Sequence, residues 1–192
     1  MKVFIAICCL VAVFGQEPPP CESPKQWEGR RVAYDRSKMF EERSKVSYDE
    51  TNERVRIVEE IEIGQDREYY DVLYLHNIGK EYRLNFKTRQ CNVTELTRPF
   101  RPFGVPPEAE FEGSATLGVS GLPGEFLTIE NFAGDLKRES TRFFGFVTSP
   151  DCYPVQANFM STDTGLVTMS FYDINVGITD PNVFIPPPEC FK

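Results

Sequence analysis

The chain has 192 residues, of which 29 are acidic and 21 basic, for a formal charge of -8. Such a surface repels phosphate backbones, and no Lys or Arg cluster offsets it, so nucleic acid is excluded as a partner. The one histidine, His76, falls in a predicted hairpin loop and reads as structural, which argues against a hydrolytic triad.

At the start, Lys2 and the apolar run Val3 to Phe14, closing in small residues around Val13 and Gly15, read as a secretory signal over 1–15. The run is too short to span a bilayer. Cleavage near Gln16 removes Cys8 and Cys9 and leaves 177 of the 192 residues, with 20 basic against 29 acidic side chains once Lys2 is gone. That length predicts one domain, 16–192, burying roughly 70% of the surface of its unfolded chain. Four cysteines remain, Cys21, Cys91, Cys152 and Cys190. An even number suits an oxidising compartment and predicts a disulfide-framed domain. No later stretch is apolar enough to cross a membrane, so the expected product is secreted and not an integral membrane protein.

Beyond the prolines at 18–20, a short helix is expected over Ser37 to Arg43. From there, alternation of apolar and polar residues between turn signals predicts a mostly β fold without repeats or heptads. Strands are expected at Lys45 to Asp49 and Arg54 to Ile63. In the second, Val55, Ile57, Ile61 and Ile63 take one face and Arg56, Glu60 and Glu62 the other, as a sheet with one wet side requires. Tyr69 to Leu75 and Glu81 to Phe86 flank the loop His76 to Lys80, where Gly79 supplies a positive φ. Tyr82, Leu84 and Phe86 then share a face. Asn92-Val93-Thr94 is the only N-glycosylation acceptor, which places Asn92 toward solvent.

Arg98 to Pro107 holds four prolines and two phenylalanines. It is excluded from a sheet interior and reads as a long extended connection within the domain. Further strands are expected at Ala115 to Val119, Glu125 to Glu130, Thr141 to Thr148, Val155 to Ser161 and Thr168 to Val176. A helical turn follows Asp180-Pro181, with Asp180 as cap and Pro181 at the first helical position.

Few of these residues suggest catalysis. Paired cysteines have no thiolate to attack with. Glu59, Glu60 and Glu62 form the densest acidic group, but strand alternation splits them between faces, and solvated sheet surface is preferred to a glycosidase pair using Glu60 and Glu62. No zinc or calcium-loop spacing is present, leaving Asp163, Asp173 and Asp180 as candidate calcium ligands through loop geometry. No cofactor is required. Gly113, Gly118, Gly121 and Gly124 sit among strand and turn signals rather than between a strand and a helix, so they do not form a phosphate cradle.

The aromatics are more informative. Phe143, Phe144, Phe146, Phe159, Phe171, Tyr172, Tyr82 and Phe86 all fall on predicted strands and supply large, stiff apolar side chains. They serve either a packed two-sheet core or the lining of a strongly curved sheet open to an acyl chain. From strand alternation, the expected pocket residues are Tyr82, Leu84, Phe86, Phe144, Phe146, Phe159 and Phe171.

Three blocks carry a family resemblance. They are Cys21 with Gln26-Trp27-Glu28-Gly29-Arg30; Asp151-Cys152-Tyr153-Pro154-Val155-Gln156; and Phe171-Tyr172-Asp173-Ile174 through Gly177-Ile178, Asp180-Pro181, Val183-Phe184 and Pro186-Pro187. Thr88-Arg89-Gln90-Cys91 falls where another family cysteine stands. In these the chain resembles the ependymin family.

The resemblance implies curved antiparallel sheets forming a half-barrel similar to bacterial lipoprotein carriers, with few short helices, a deep apolar pocket and a homodimer. It favours the pocket over the packed core and implies the bridges Cys21 to Cys152 and Cys91 to Cys190. Mammalian members carry an extra cysteine pair and a tail where this chain has two residues after Cys190, so secretion is expected ahead of a lysosomal lumen.

The leading expectation is a secreted, non-enzymatic glycoprotein that holds a lipid or other hydrophobic ligand in a β-sheet pocket. The alternative is a calcium-binding extracellular matrix or cell-adhesion protein.

Overall fold

The computed structural model describes residues 17–137, 140–162 and 165–191; the expected signal peptide at 1–15 lies outside them. Among these residues eleven strands form: β1 Gln26–Asp35, β2 Phe40–Asp49, β3 Arg54–Ile63, β4 Asp66–Leu75, β5 Lys80–Asn85, β6 Cys91–Glu95, β7 Glu110–Gly118, β8 Phe126–Leu136, β9 Thr141–Thr148, β10 Pro154–Ser161 and β11 Gly165–Val176. They join one open, curled antiparallel sheet in the order β6-β5-β4-β3-β2-β1-β11-β10-β9-β8-β7. Two meanders of sequential hairpins, β1–β6 and β7–β11, therefore meet at its centre. There β1 pairs with β11 from Trp27↔Val176 to Asp35↔Val167.

The expected helix over Ser37 to Arg43 is overturned. The Asp35 side chain accepts from the Ser37 amide at 3.0 Å and caps one 3-10 turn, Arg36–Lys38. Met39, at φ 50°, then reverses the chain into β2. The helix-forming composition of this segment gives way to cross-strand pairing on both sides, with β1 and with β3. Strands β1 and β6, absent from the sequence reading, also form, and the turn after Asp180 is a 3-10 turn, Pro181–Phe184, capped by Asp180.

Side chains alternate across the sheet, so the register divides them into two faces. Trp27, Val46, Tyr48, Ile57, Val72, Phe143 and Phe171 share one. Glu28, Ser47, Arg56, Asp71, Leu73 and Leu84 share the other.

The first face is the inner one, as the connection between β6 and β7 shows. A flat sheet would hold these edge strands about 48 Å apart. The residues between Glu95 and Glu110 reach only about 50 Å when fully extended. This segment is not straight: Arg98 lies over Tyr74, Phe100 stacks on Tyr48, Phe103 meets Trp27 and Phe171 edge-on, and Ala109 backs onto Gly134. It spans the gap because it takes the short path across the hollow of a curled sheet.

That crossing builds the core. Trp27, Val46, Tyr48 and Phe171 cluster with Phe100 and Phe103, while Phe132, Phe143, Val147 and Cys152 cluster with Val105 and Ala109. Complete burial of each large side chain stabilises by about 2–3 kcal/mol.

The connection is fixed at Gly104, which bridges Glu22, and the Cys21–Cys152 disulfide anchors this N-terminal segment to the turn after β9. A Cβ at Gly104 would stand 2.8 Å from the Cys21 carbonyl oxygen, on a backbone with φ +153°. Only glycine fits.

On the outer face, residues 178–191 run back over β1–β6. The Thr179 amide donates to Glu28, the Arg56 guanidinium to the Val183 carbonyl at 2.6 Å, and the Arg54 guanidinium sits 4.1 Å above the Phe184 ring. Cys91–Cys190 locks the end of this tail to the edge strand β6, where Arg89 pairs with Glu189. Leu73 and Leu84 are fully buried beneath this outer layer.

Candidate ligand-binding face

The connection covers the end of the inner face where β1 begins and β2 finishes. At the opposite end the same face carries Phe40, Ile61 and Tyr70 on β2–β4 and Val167 on β11, bordered by Leu136 and Phe159 on β8 and β10, which pack against the cluster that holds Val105 and Ala109; all six are half-buried. Ile63, at the rim, is 55% exposed. Apolar side chains kept partly in water along a concave surface are the usual lining of a site for an apolar guest.

Between this end and the aromatic core lies a buried ionic group. Arg31 pairs with Glu42 through Nε at 3.1 Å, Ser44 donates to Glu42 at 2.7 Å, and Arg83 pairs with Glu59 at 3.1 Å while lying over the Tyr70 ring. Burial pushes the Glu59 carboxyl above its ordinary range, and the nearby Glu42 carboxylate adds to that, with Arg83 and Arg31 acting in the opposite sense. The inner face therefore has an apolar mouth and a polar floor. That matches a molecule with a hydrocarbon body and a hydrogen-bonding end.

The expected pocket residues do not form one surface. Phe159 and Phe171 are on the inner face, Phe159 against Phe143 at 5.5 Å and Phe171 against Trp27 at 6.1 Å, in separate clusters. Phe144 and Phe146 are on the outer face, edge to face at 5.1 Å. Tyr82 and Leu84 are also outer, against the tail, where Tyr82 meets Phe191 at 6.5 Å. Phe86 follows the end of β5 and is exposed. The ionic residues Arg31, Glu42, Glu59 and Arg83 come from four strands. No local motif announces them, although the odd-numbered alternation of β3 already sets Glu59 with Ile57 and Ile61.

The outer face of β9–β11 with β1 presents Tyr34, Phe144, Met160, Leu166 and Tyr172, all exposed. A hollow of about 690 Å³ lies at its edge, lined by Tyr34, Arg36, Ser37, Leu166 and Thr168. A second, of about 560 Å³, includes Leu136, Arg142, Met160 and Ser161.

Other candidates have structural partners. Asn92 is exposed on edge strand β6. His76 is half-buried with its ring edge-on to Phe100 at 5.3 Å, and burial lowers its pKa. Glu60 and Glu62 are outer-face residues, both paired with Arg67; the hydrogen bond from Arg67 holds Glu62 below the usual carboxylate range. Asp173 pairs with Arg30, and Asp180 accepts from the Asn182 amide; Asp163 lies outside the described residues. Among the described residues, no group of three or more His, Cys, Asp and Glu side chains is placed to hold a metal ion, and no helix is long and apolar enough to cross a membrane.

The family model for ependymin matches residues 64–190, more than half of the chain. The chain belongs to the ependymin family. It is 31% identical to mammalian ependymin-related protein 1 of Rattus norvegicus over 192 residues, covering 98% of this chain and 84% of that protein. Ependymin-2 of Carassius auratus is 24% identical over 188 residues, 98% of this chain and 87% of that one. Among solved structures, an uncharacterized conserved protein from Thermus thermophilus superposes with a TM-score of 0.55 at 10% identity, covering 86% of this chain and 88% of that one. At that identity the likeness concerns the fold alone. The ependymin match starts in the turn before β4, so Trp27 and the inner-face carboxylate Glu59 lie outside it.

Proposed function

We propose that this member of the ependymin family is a secreted, non-enzymatic glycoprotein that carries a lipid or other hydrophobic molecule at the uncovered end of its inner face. The observation that carries this reading is the set of half-buried apolar side chains, Phe40, Ile61, Tyr70, Phe159 and Val167, along the hollow side of an open sheet. Removing apolar surface from water at about 25 cal/mol per Å² drives the binding of an acyl chain there. Glu59, Arg83 and their neighbours take the polar end.

Native mass spectrometry of gently purified protein, followed by organic extraction, tests the reading. It is expected to show a bound lipid, and Ile61→Glu with Ile63→Glu is expected to reduce fluorescent fatty-acid uptake at least tenfold. Phe144→Glu, on the outer face, leaves uptake unchanged. A clean unliganded mass together with no uptake by the wild type refutes it.

The homodimer implied by the family resemblance belongs to the same proposal. The exposed row Tyr34, Leu166, Tyr172, Met160 and Phe144 is the surface assigned to a second copy. Sedimentation equilibrium of Phe144→Glu against wild type reads it directly, with a shift to monomer expected.

A further inference from the structure

Strands β7 and β8 extend beyond the rest of the sheet. Register between β8 and β9 ends at Ile129↔Thr148, whereas β7 and β8 stay paired through Leu117↔Leu127 and Gly118↔Phe126. Every residue from 114 to 128 is exposed. Its composition differs from that of the rest of the molecule: in a chain with 26% charged residues, Gly113 to Gly124 contains none, and Glu125 is the only charge before Glu130. The exposed apolar side chains are Leu117, Val119, Leu122, Phe126 and Leu127, at 40–52%.

We propose that this hairpin is a lipid-docking element that inserts its tip into the interfacial region of a membrane or lipid particle. Three observations favour a lipid surface over a groove on another protein. Leu117 and Leu127 form a cross-strand pair on one face of the hairpin while Phe126 projects from the other, so the apolar surface is two-sided, whereas a protein groove covers one side.

The tip also closes its own hydrogen bonds: the Val119 amide donates to the Glu125 carbonyl at 2.9 Å, the Leu122 amide to Val119 at 3.3 Å and the Glu125 amide to Leu122 at 3.1 Å. These bonds close the turn, while β7, an edge strand, keeps its outer backbone groups in the hydrated interfacial layer rather than in the hydrocarbon core. Finally, the hairpin has no Lys or Arg, and the chain is acidic. Its attachment is therefore driven by apolar burial rather than by attraction to anionic headgroups, unlike a basic amphipathic anchor.

Gly118 holds the geometry. Its φ is +103°, and a Cβ there would stand 2.2 Å from the Glu125 carbonyl oxygen.

The inference needs no cargo and stands apart from the carrier reading. The test is co-sedimentation of the full chain with phosphatidylcholine vesicles. Wild type is expected to bind, to keep binding at high salt, and to bind no tighter when phosphatidylserine is added. Leu117→Glu with Leu122→Glu is expected to lower partitioning at least tenfold, while fatty-acid uptake from solution persists.

A second readout uses the fact that Trp27 is the only tryptophan and is fully buried. In Leu122→Trp the added indole reports on the tip, and vesicles are expected to shift its emission to the blue and to expose it to quenching by lipids brominated along the acyl chain. The proposal is overturned if the double Glu variant binds vesicles as wild type does. It is equally overturned if the tip indole is unmoved by vesicles, or shifts with protein concentration alone, which marks self-association.

Discussion

The outer faces of β1–β6 and of β8–β11 begin from the same strand alternation but end in different surroundings. On the first, the C-terminal tail lies over Leu73 and Leu84, and charged residues are tied into pairs such as Arg56 with Asp71 and Arg54 with Asp49. On the second, Phe144, Met160, Leu166 and Tyr172 stand in solvent. Both faces carry large apolar side chains, so amphipathicity alone does not tell a core from a contact surface. What separates them is whether the chain supplies its own covering layer, and here one disulfide-anchored tail covers half of the sheet.

The strongest test removes that layer's anchor. Replacing Cys91 and Cys190 together by Ser opens a link across a separation of 99 residues, and in the chain-entropy model this costs about 4–5 kcal/mol. Beyond the common shift that lower global stability gives every strand, hydrogen exchange is expected to accelerate further in β4–β6, where the tail loses its anchor, than in β8–β10. Equal acceleration in both halves would break the comparison.

Next in size is Asp49, whose fully buried carboxylate accepts from Gln26 at 2.9 Å, from the Asn52 side chain at 2.7 Å and from Arg54 at 2.7 Å. Burial alone would raise its pKa, but these donors outweigh it and hold the group below the usual range. Asp49→Ala is expected to cost about 3–5 kcal/mol in urea unfolding, since Arg54 is left without its partner. Because the folded pKa is depressed, this contribution is present above the unfolded pKa and is lost as pH falls through the folded one.

A matched pair sharpens the contrast between outer faces. Leu84→Ala, beneath the tail, is expected to cost about 2–4 kcal/mol, against under about 1 kcal/mol for Phe144→Ala.

The smallest effect is that of Glu59→Gln, which removes a desolvated charge but keeps an acceptor for Arg83. It is expected to stabilise by about 1 kcal/mol at neutral pH. Glu59 has a raised folded pKa, so the wild type recovers stability as pH falls through that pKa and loses it as pH rises. The gain from Gln therefore vanishes in acid, as thermal unfolding across pH should show.

The sequence made the period-2 strands legible. Arg54–Ile63 and Thr141–Thr148 match their predicted bounds, the first because Val55, Ile57, Ile61 and Ile63 recur at every second position, the second because a run rich in Phe, Val and Thr stands between turn residues. Strand β1 escaped because its inner pleat mixes Trp27, Gly29 and Ala33 with Arg31 and Asp35 while Val32 and Tyr34 take the outer one, so its apolar residues do not recur at every second position. The expected helix over Ser37 to Arg43 followed local composition, while tertiary pairing places Phe40 and Glu42 side by side with Ile63 and Ile61.

The candidate site was less legible still. Phe144 and Phe159 both looked like lining, yet opposite pleats separate them, since Phe159 pairs with Phe143 and Phe144 pairs with Asn158. Which pleat faces inward is set by register and by the path of residues 96–109, and neither is a local property.

The neighbouring positions of β1 and β11 impose an order on biosynthesis. The earliest strand to emerge from the ribosome must wait, with one edge unpaired, for the last. The six-strand meander completed by residue 95 thus remains an unfinished template until β11 begins at residue 165, and such non-local closure is slow. Chains interrupted before residue 165 should expose β1 to foreign strands and aggregate.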